Sequence, residues 1–105
     1  MAQEHATWCL MRQGTLIGTI SVADTDFPWL RGTFTPELAF THVKPWFDEA
    51  LANMEADDFE RFDAAYDRIP QELTLMSPSG PVADFLLHID GDEAWFRWSE
   101  EPFGR

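Results

Sequence analysis

The sequence predicts an α+β fold: an antiparallel sheet in the order βββ-αα-βββ, with the helices packed on one face. Three observations carry this expectation. Near both ends of the chain, apolar and polar residues alternate over short runs, the period of a half-buried strand. Between those runs, apolar residues recur at three- and four-residue spacing, the period of an amphipathic helix. Strands and helices are segregated along the chain rather than interleaved, which separates α+β from α/β proteins.

The elements follow in order. Thr7–Arg12 and Thr15–Ala23 are rich in β-branched and apolar residues and flank Gln13-Gly14, a hairpin turn. Period two places Leu16, Ile20 and Val22 on one face of the second strand. Asp24-Thr25-Asp26 reads as a polar turn, and Phe27-Pro28 as extended chain, because the residue before proline avoids the helical region. Trp29–Phe34 is the third strand. Trp29, Arg31 and Thr33 share one of its faces, and Leu30, Gly32 and Phe34 the other.

Thr35-Pro36-Glu37 starts the first helix: Thr35 caps free amides, Pro36 fits the first helical position, and Glu37 faces the positive end of the dipole. Phe40, Val43, Phe47, Leu51 and Met54 form its stripe, with a kink or break near Val43-Lys44 because Pro45 lies inside the pattern. Asp57 to Glu60 resembles an acidic capping box and opens the second helix. Phe59, Phe62, Tyr66 and Ile69 are its buried stripe, and Pro70 stops it.

Glu72–Ser77 is the fourth strand, and Pro78-Ser79-Gly80-Pro81 a turn. Val82–Ile89 and Glu93–Ser99 are the last two, joined at Asp90-Gly91, among the strongest hairpin signals. A two-residue turn at that pair sets His88 opposite Glu93, Leu86 opposite Trp95, and Asp84 opposite Arg97. Phe85, Leu87, Ala94, Phe96 and Trp98 then share the core face. The two strand triplets form meanders sharing one sheet. Residues 1–105 read as a single domain, frayed at 1–5 and 100–105.

Composition narrows the function. Nine Phe, five Trp and one Tyr supply ample core for one domain. Nineteen acidic against seven basic residues give a net charge of −12, which repels nucleic acid and anionic membranes. Residues 48–72 hold nine of the acids, and helical spacing spreads most of these over a solvated face. Cys9 is the single cysteine, so an internal disulfide and a thiolate-rich zinc site are ruled out. With no secretory pattern at the start and no apolar run approaching ~20 residues, a cytoplasmic location is expected.

No pattern of residues points to catalysis. Ser77, Ser79 and Ser99 lack a nucleophile elbow, Cys9 has no local partner, and no Gly-rich phosphate loop is present. His5, His42 and His88 have no spacing that brings them together. The string His88–Glu93 looks like a ligand set. The turn, however, commits Asp90 and turns Asp92 away from His88 and Glu93, leaving one His and one Glu, too few for a metal. No metal, cofactor or catalytic residue is therefore expected. The face opposite the core is more informative. Leu86, His88, Trp95 and Arg97 stand there, and Trp29 and Arg31 form a comparable pair on the third strand. An aromatic patch rimmed by charge marks a partner surface or ligand groove.

The strings TDFPWLRGTFTP (residues 25–36) and FLLHIDGDEAWFRWSEEPF (residues 85–103) resemble small acidic bacterial proteins of uncharacterised activity. The resemblance covers about a third of the chain and implies only that both aromatic stretches belong to one pattern. The sequence thus leads to a non-enzymatic acidic interaction module for a basic protein partner, of the immunity or inhibitor kind. The competing expectation is a small-molecule-binding protein or minor enzyme, with a pocket between sheet and helices lined by Trp29, Trp46, Trp95 and Arg31 or Arg97. An uncovered sheet face or an edge strand also offers a route to a homodimer.

Overall fold

The computed structural model describes residues 6–26 and 28–101. Seven strands form one antiparallel sheet: β1 (Ala6–Arg12), β2 (Thr15–Asp26), β3 (Trp29–Pro36), β4 (Thr74–Ser77), β5 (Gly80–Pro81), β6 (Asp84–Asp90) and β7 (Glu93–Ser99). A 3-10 turn (Leu38–His42) and the helices α1 (Lys44–Glu55), α2 (Phe59–Tyr66) and the one-turn α3 (Arg68–Glu72) lie between β3 and β4. The α+β class and the single antiparallel sheet are as the sequence predicts. Their internal order is not. The spatial order is β5-β4-β1-β2-β3-β7-β6, so the last strands do not form one meander. The β4–β5 hairpin adds to β1 at one end, and the β6–β7 hairpin adds to β3 at the other. Local pattern identifies strands, whereas their neighbours are chosen by long-range pairing.

The sheet curls strongly. Trp8 on β1 touches Phe96 on β7 at 4.9 Å between ring centroids, although β2 and β3 lie between those strands. Flat strands three places apart would be about 14 Å from one another. Two bulges help to bend β2, one opposite Leu10/Met11 and one between Val22 and Asp24. The first moves Ile17 into the core and leaves Leu16 half-buried, correcting the simple alternation expected for this strand. The second places Gly32 opposite the bend, where a Cβ would overlap the Ser21 carbonyl oxygen. β2 also runs on through Asp24-Thr25-Asp26, pairing Asp26 with Trp29, so the polar turn expected there is strand. Phe27 lies outside the described residues.

The concave face holds Trp8, Leu10, Ile20, Val22, Phe34, Leu75, Phe85, Leu87, Ile89, Ala94 and Phe96, all buried. Phe40 packs against Phe34 at 4.8 Å and Phe47 against Phe40 at 6.0 Å, seating the 3-10 turn and α1 inside the curl. The helical segment begins later than the sequence suggests. Pro36 ends β3, Thr35 is strand, and Glu37 makes no side-chain cap. The break expected near Val43-Lys44 is present: the 3-10 turn ends at His42 and α1 starts at Lys44, with Pro45 in its first turn, where its missing N–H matters least. The acidic cap shifts by one residue: Asp58 accepts from the Arg61 N–H at 3.1 Å. Phe59, expected in the buried stripe, is exposed, whereas Tyr66 and Ile69 are buried. Pro70 lies within α3 instead of ending the helix, because Asp67 begins a new turn after α2.

Tyr66, the last residue of α2, reaches the free edge of β6. The Tyr66 hydroxyl accepts from the Leu87 N–H at 2.7 Å and donates to the Phe85 carbonyl at 3.1 Å. One side chain thereby substitutes for a neighbouring strand and blunts the edge. The opposite edge ends in β5, two residues long and closed by Pro81. At the base of the helices, Arg12 and Arg68 lie 5.2 and 5.5 Å from the ring centroid of Trp46, and Arg12 pairs with Glu72 at 3.2 Å. This cluster ties β1 to α1 and α3. Among the described residues, no helix is long and apolar enough to cross a membrane. Residues 1–5 and 102–105, where fraying is expected, lie outside the described residues.

Candidate functional site

The β6–β7 hairpin positions the site, and its turn differs from the expected one. Asp90 pairs with Glu93, so Gly91 and Asp92 are the central residues. Gly91 has φ 63°, while Asp92 is not among the positive-φ residues, the pattern of a type II′ turn with Gly at its first central position. A turn on Asp90-Gly91 would instead need Asp90 in the left-handed region, which a glycine occupies with less strain. The register therefore moves by two: His88 faces Trp95, Leu86 faces Arg97, and Asp84 faces Ser99. Since two is the side-chain period, the faces stay as the sequence assigns them, although the pairings Asp84–Arg97 and His88–Glu93 are replaced.

On the convex face the structure brings together all six residues singled out in the sequence. Arg31 faces Trp95 across the β3–β7 ladder, and its guanidinium lies 5.9 Å from the Trp95 ring centroid. His88 lies 5.4 Å from Trp95 and 6.0 Å from Trp29, ring centroid to centroid, the latter a stacked pair. Leu86 is half-buried beside them, and Arg97 is exposed. The face is not free of helices, however. Phe62, stacked on Tyr66 at 5.6 Å, reaches round the β6 edge and lies 5.9 Å from His88. Phe62 belongs to the expected helical stripe, but nothing in its spacing shows that it turns to the outer side.

Three aromatic rings thus enclose one imidazole, and His88 is only 5% exposed. Desolvation pushes its pKa down from 6.5 to about 4, so it is neutral at physiological pH. A neutral imidazole boxed by rings organises Trp29 and Trp95 and adds no charge to the surface. Trp29 and Trp95 remain half-buried, each presenting part of an indole to solvent.

Beside this patch an open cleft of about 550 Å³ is bounded by Arg31 and by the carboxylates of Asp24, Asp90, Asp92 and Glu93. The β2 bulge supplies Asp24 and the β6–β7 turn supplies the others. Among the described residues, no three His, Cys, Asp or Glu side chains are placed to hold a metal ion. Ser77 serves its own turn: it donates to the Gly80 carbonyl at 2.8 Å and accepts from the Ser79 N–H at 3.1 Å. Cys9 is half-buried between Thr19 and Met76 of the flanking strands, His42 is exposed on the 3-10 turn, and His5 lies outside the described residues. Trp46, grouped with Trp29 and Trp95 in the expected pocket, belongs instead to the Arg12–Arg68 cluster. The Phe34–Phe40–Phe47 stack occupies the sheet–helix interface where that pocket was expected. No protein-family model, curated protein or solved structure matches the chain.

Proposed function

We propose that the chain is a non-enzymatic, cytoplasmic interaction module that binds a basic protein partner through the convex face of its sheet. The observation that carries this reading is the half-exposed Trp29–Trp95 pair, held rigid by His88 and bordered by acidic side chains. Partly exposed aromatics on a rigid support, surrounded by a polar rim, have the anatomy of a protein interface. Asp24, Asp90, Asp92 and Glu93 give the rim its sign beside Arg31, while Arg97 borders the patch on β7. The net charge of −12 adds long-range attraction for a basic partner. Small acidic inhibitors and immunity proteins are analogous in size and charge. A homodimer, if the chain forms one, uses this same face, because Tyr66 blunts one sheet edge and β5 is too short to extend the other.

The test is capture of a partner by the native chain, followed by calorimetry with the purified pair. Trp95→Ala is expected to weaken binding by about 2 kcal/mol, as loss of a central aromatic anchor does. Replacing Asp90, Asp92 and Glu93 with lysine should slow association and remove most of its salt dependence. Both variants should retain the native circular dichroism spectrum. A captured partner that is acidic, or one indifferent to Trp95→Ala, would show this reading to be wrong.

A further inference from the structure

The geometry points to a second site, a small-molecule cleft where β3 and β7 part, shaped for an aromatic carboxylate. The β3–β7 ladder runs from Thr33↔Glu93 to Leu30↔Phe96 and stops there, although β7 continues to Ser99. The position opposite Trp98 falls at Pro28, which has no N–H with which to extend the ladder. The strands separate and leave a cleft of about 470 Å³, within the range of roughly 300–1,000 Å³ typical of ligand sites.

Its walls are apolar and flat. Trp29 stands on one side, fixed by its stack on His88, and Pro28 lies beside it. Trp98 stands on the other, tilted against Trp8 at 5.6 Å and still 37% exposed. The inner core therefore braces Trp98 without covering it. Flat apolar walls favour a flat apolar ligand, since stacking on an indole adds to simple burial.

Charge selects the ligand's polar group. Arg97, Thr25 and Ser99 supply a guanidinium and two hydroxyls, and among the described residues lining this cleft there is no carboxylate. Ser99 Oγ accepts from the Glu101 N–H at 3.1 Å, which leaves its own O–H able to donate. The adjoining cleft around Arg31 is lined by four carboxylates, whereas the charged side chain lining this one is a guanidinium, whose five N–H donors suit a carboxylate. Guanidinium and carboxylate are matched in geometry as well as charge. The cleft shares Trp29 and Arg97 with the convex patch, but its inner wall, Trp98 and Leu30, faces inward from the sheet whereas Trp95 faces outward, so the two readings are tested by different ligands.

The experiment is a titration of the 15N-labelled full chain with phenylacetate, following the indole Nε1–H signals of its five tryptophans. The expected result is a saturable shift at Trp29 and Trp98, with Trp46 unmoved. Arg97→Gln should weaken binding by about tenfold or more, the loss of a charge-assisted contact, and Arg97→Lys should restore part of it. Phenylacetamide should bind as weakly to the native chain as phenylacetate does to the Arg97→Gln variant. The proposal is overturned by the absence of a saturable shift, by equal binding of acid and amide, or by an Arg97→Gln variant of native spectrum and unchanged affinity. Preference for phenethylamine at the same two tryptophans also overturns it.

Discussion

The inner and outer sides of the β6–β7 hairpin alternate along the same two strands. Phe85, Leu87, Ile89, Ala94 and Phe96 face inward, each no more than 3% exposed, and close the core against Trp8 and the curled sheet. Leu86, His88, Trp95 and Arg97 face outward and combine two cationic or titratable groups with an indole. Burial alone accounts for the inner set. The outer set retains partly exposed aromatic surface and a buried imidazole, neither of which the core requires. One side therefore carries stability and the other is rigid but chemically varied, so substitutions on the two sides should separate folding from binding.

The largest expected contrast lies between neighbours. Phe96→Ala should remove about 3–5 kcal/mol, because it opens a cavity at a position with no solvent access. Trp95→Ala, half-exposed and free to be rehydrated, should lose about 1–2 kcal/mol despite deleting the larger side chain. Urea unfolding of both variants decides the matter. Equal losses would mean that the outer face is as much a core as the inner one.

A pH series probes the same contrast through His88. Its folded pKa of about 4 lies below the unfolded value of 6.5, so the unfolded chain binds the proton more tightly. Stability from this group is complete above pH 6.5, declines as pH falls, and is lost once pH passes about 4. The loss amounts to at most about 3 kcal/mol. Carboxylates titrate in part of this window, so the comparison is with His88→Phe, which keeps a ring in the box and has nothing to protonate. The native chain should lose more stability than the variant between pH 7 and pH 4.5. Parallel pH profiles would remove the imidazole from the account.

A smaller effect is expected where α2 closes the edge. Tyr66→Phe keeps the ring against Phe62 and deletes the hydroxyl that serves both Leu87 N–H and Phe85 C=O. Leaving those two groups without their partner should cost about 2 kcal/mol. Hydrogen exchange at the Leu87 amide should quicken more than at Phe96, one strand further in. Unchanged protection at Leu87 would mean that Tyr66 does not seal the edge.

What was legible in the sequence follows the range of the interactions. Alternation assigned Trp95, Arg97, His88 and Leu86 to one face and Phe85, Leu87 and Phe96 to the other, because parity is a property of each strand alone. It survived an error of two in register for the same reason. That error came from Asp90-Gly91, where one dipeptide serves two turn types with different pairings. The second helix shifted by a similar local ambiguity, since either Asp57 or Asp58 fits a cap, whereas the break at Val43-Lys44 was legible because Pro45 acts through its own backbone. The neighbours of each strand were not legible. Neither was the reach of Phe62 to His88, nor the convergence of Arg12 and Arg68 on Trp46, since each joins segments that share no local pattern.

The two hairpin turns give the finest test, because they solve the same problem with different residues. At Gly91 a single positive φ is taken by glycine, whereas the β1–β2 turn needs two, and Gln13 takes the first of them at φ 50°. Gly91→Ala should cost about 1 kcal/mol: open space surrounds the new Cβ, so only the backbone conformation opposes it. Gln13→Asn runs the other way. Asparagine tolerates the left-handed region better than glutamine and, with Gly14 behind it, forms the preferred type I′ pair. The expected gain is about 0.5 kcal/mol or less, read as a higher urea midpoint with an unchanged slope. A loss at Gln13→Asn would mean that the Gln13 side chain, and not its backbone angle, holds that turn.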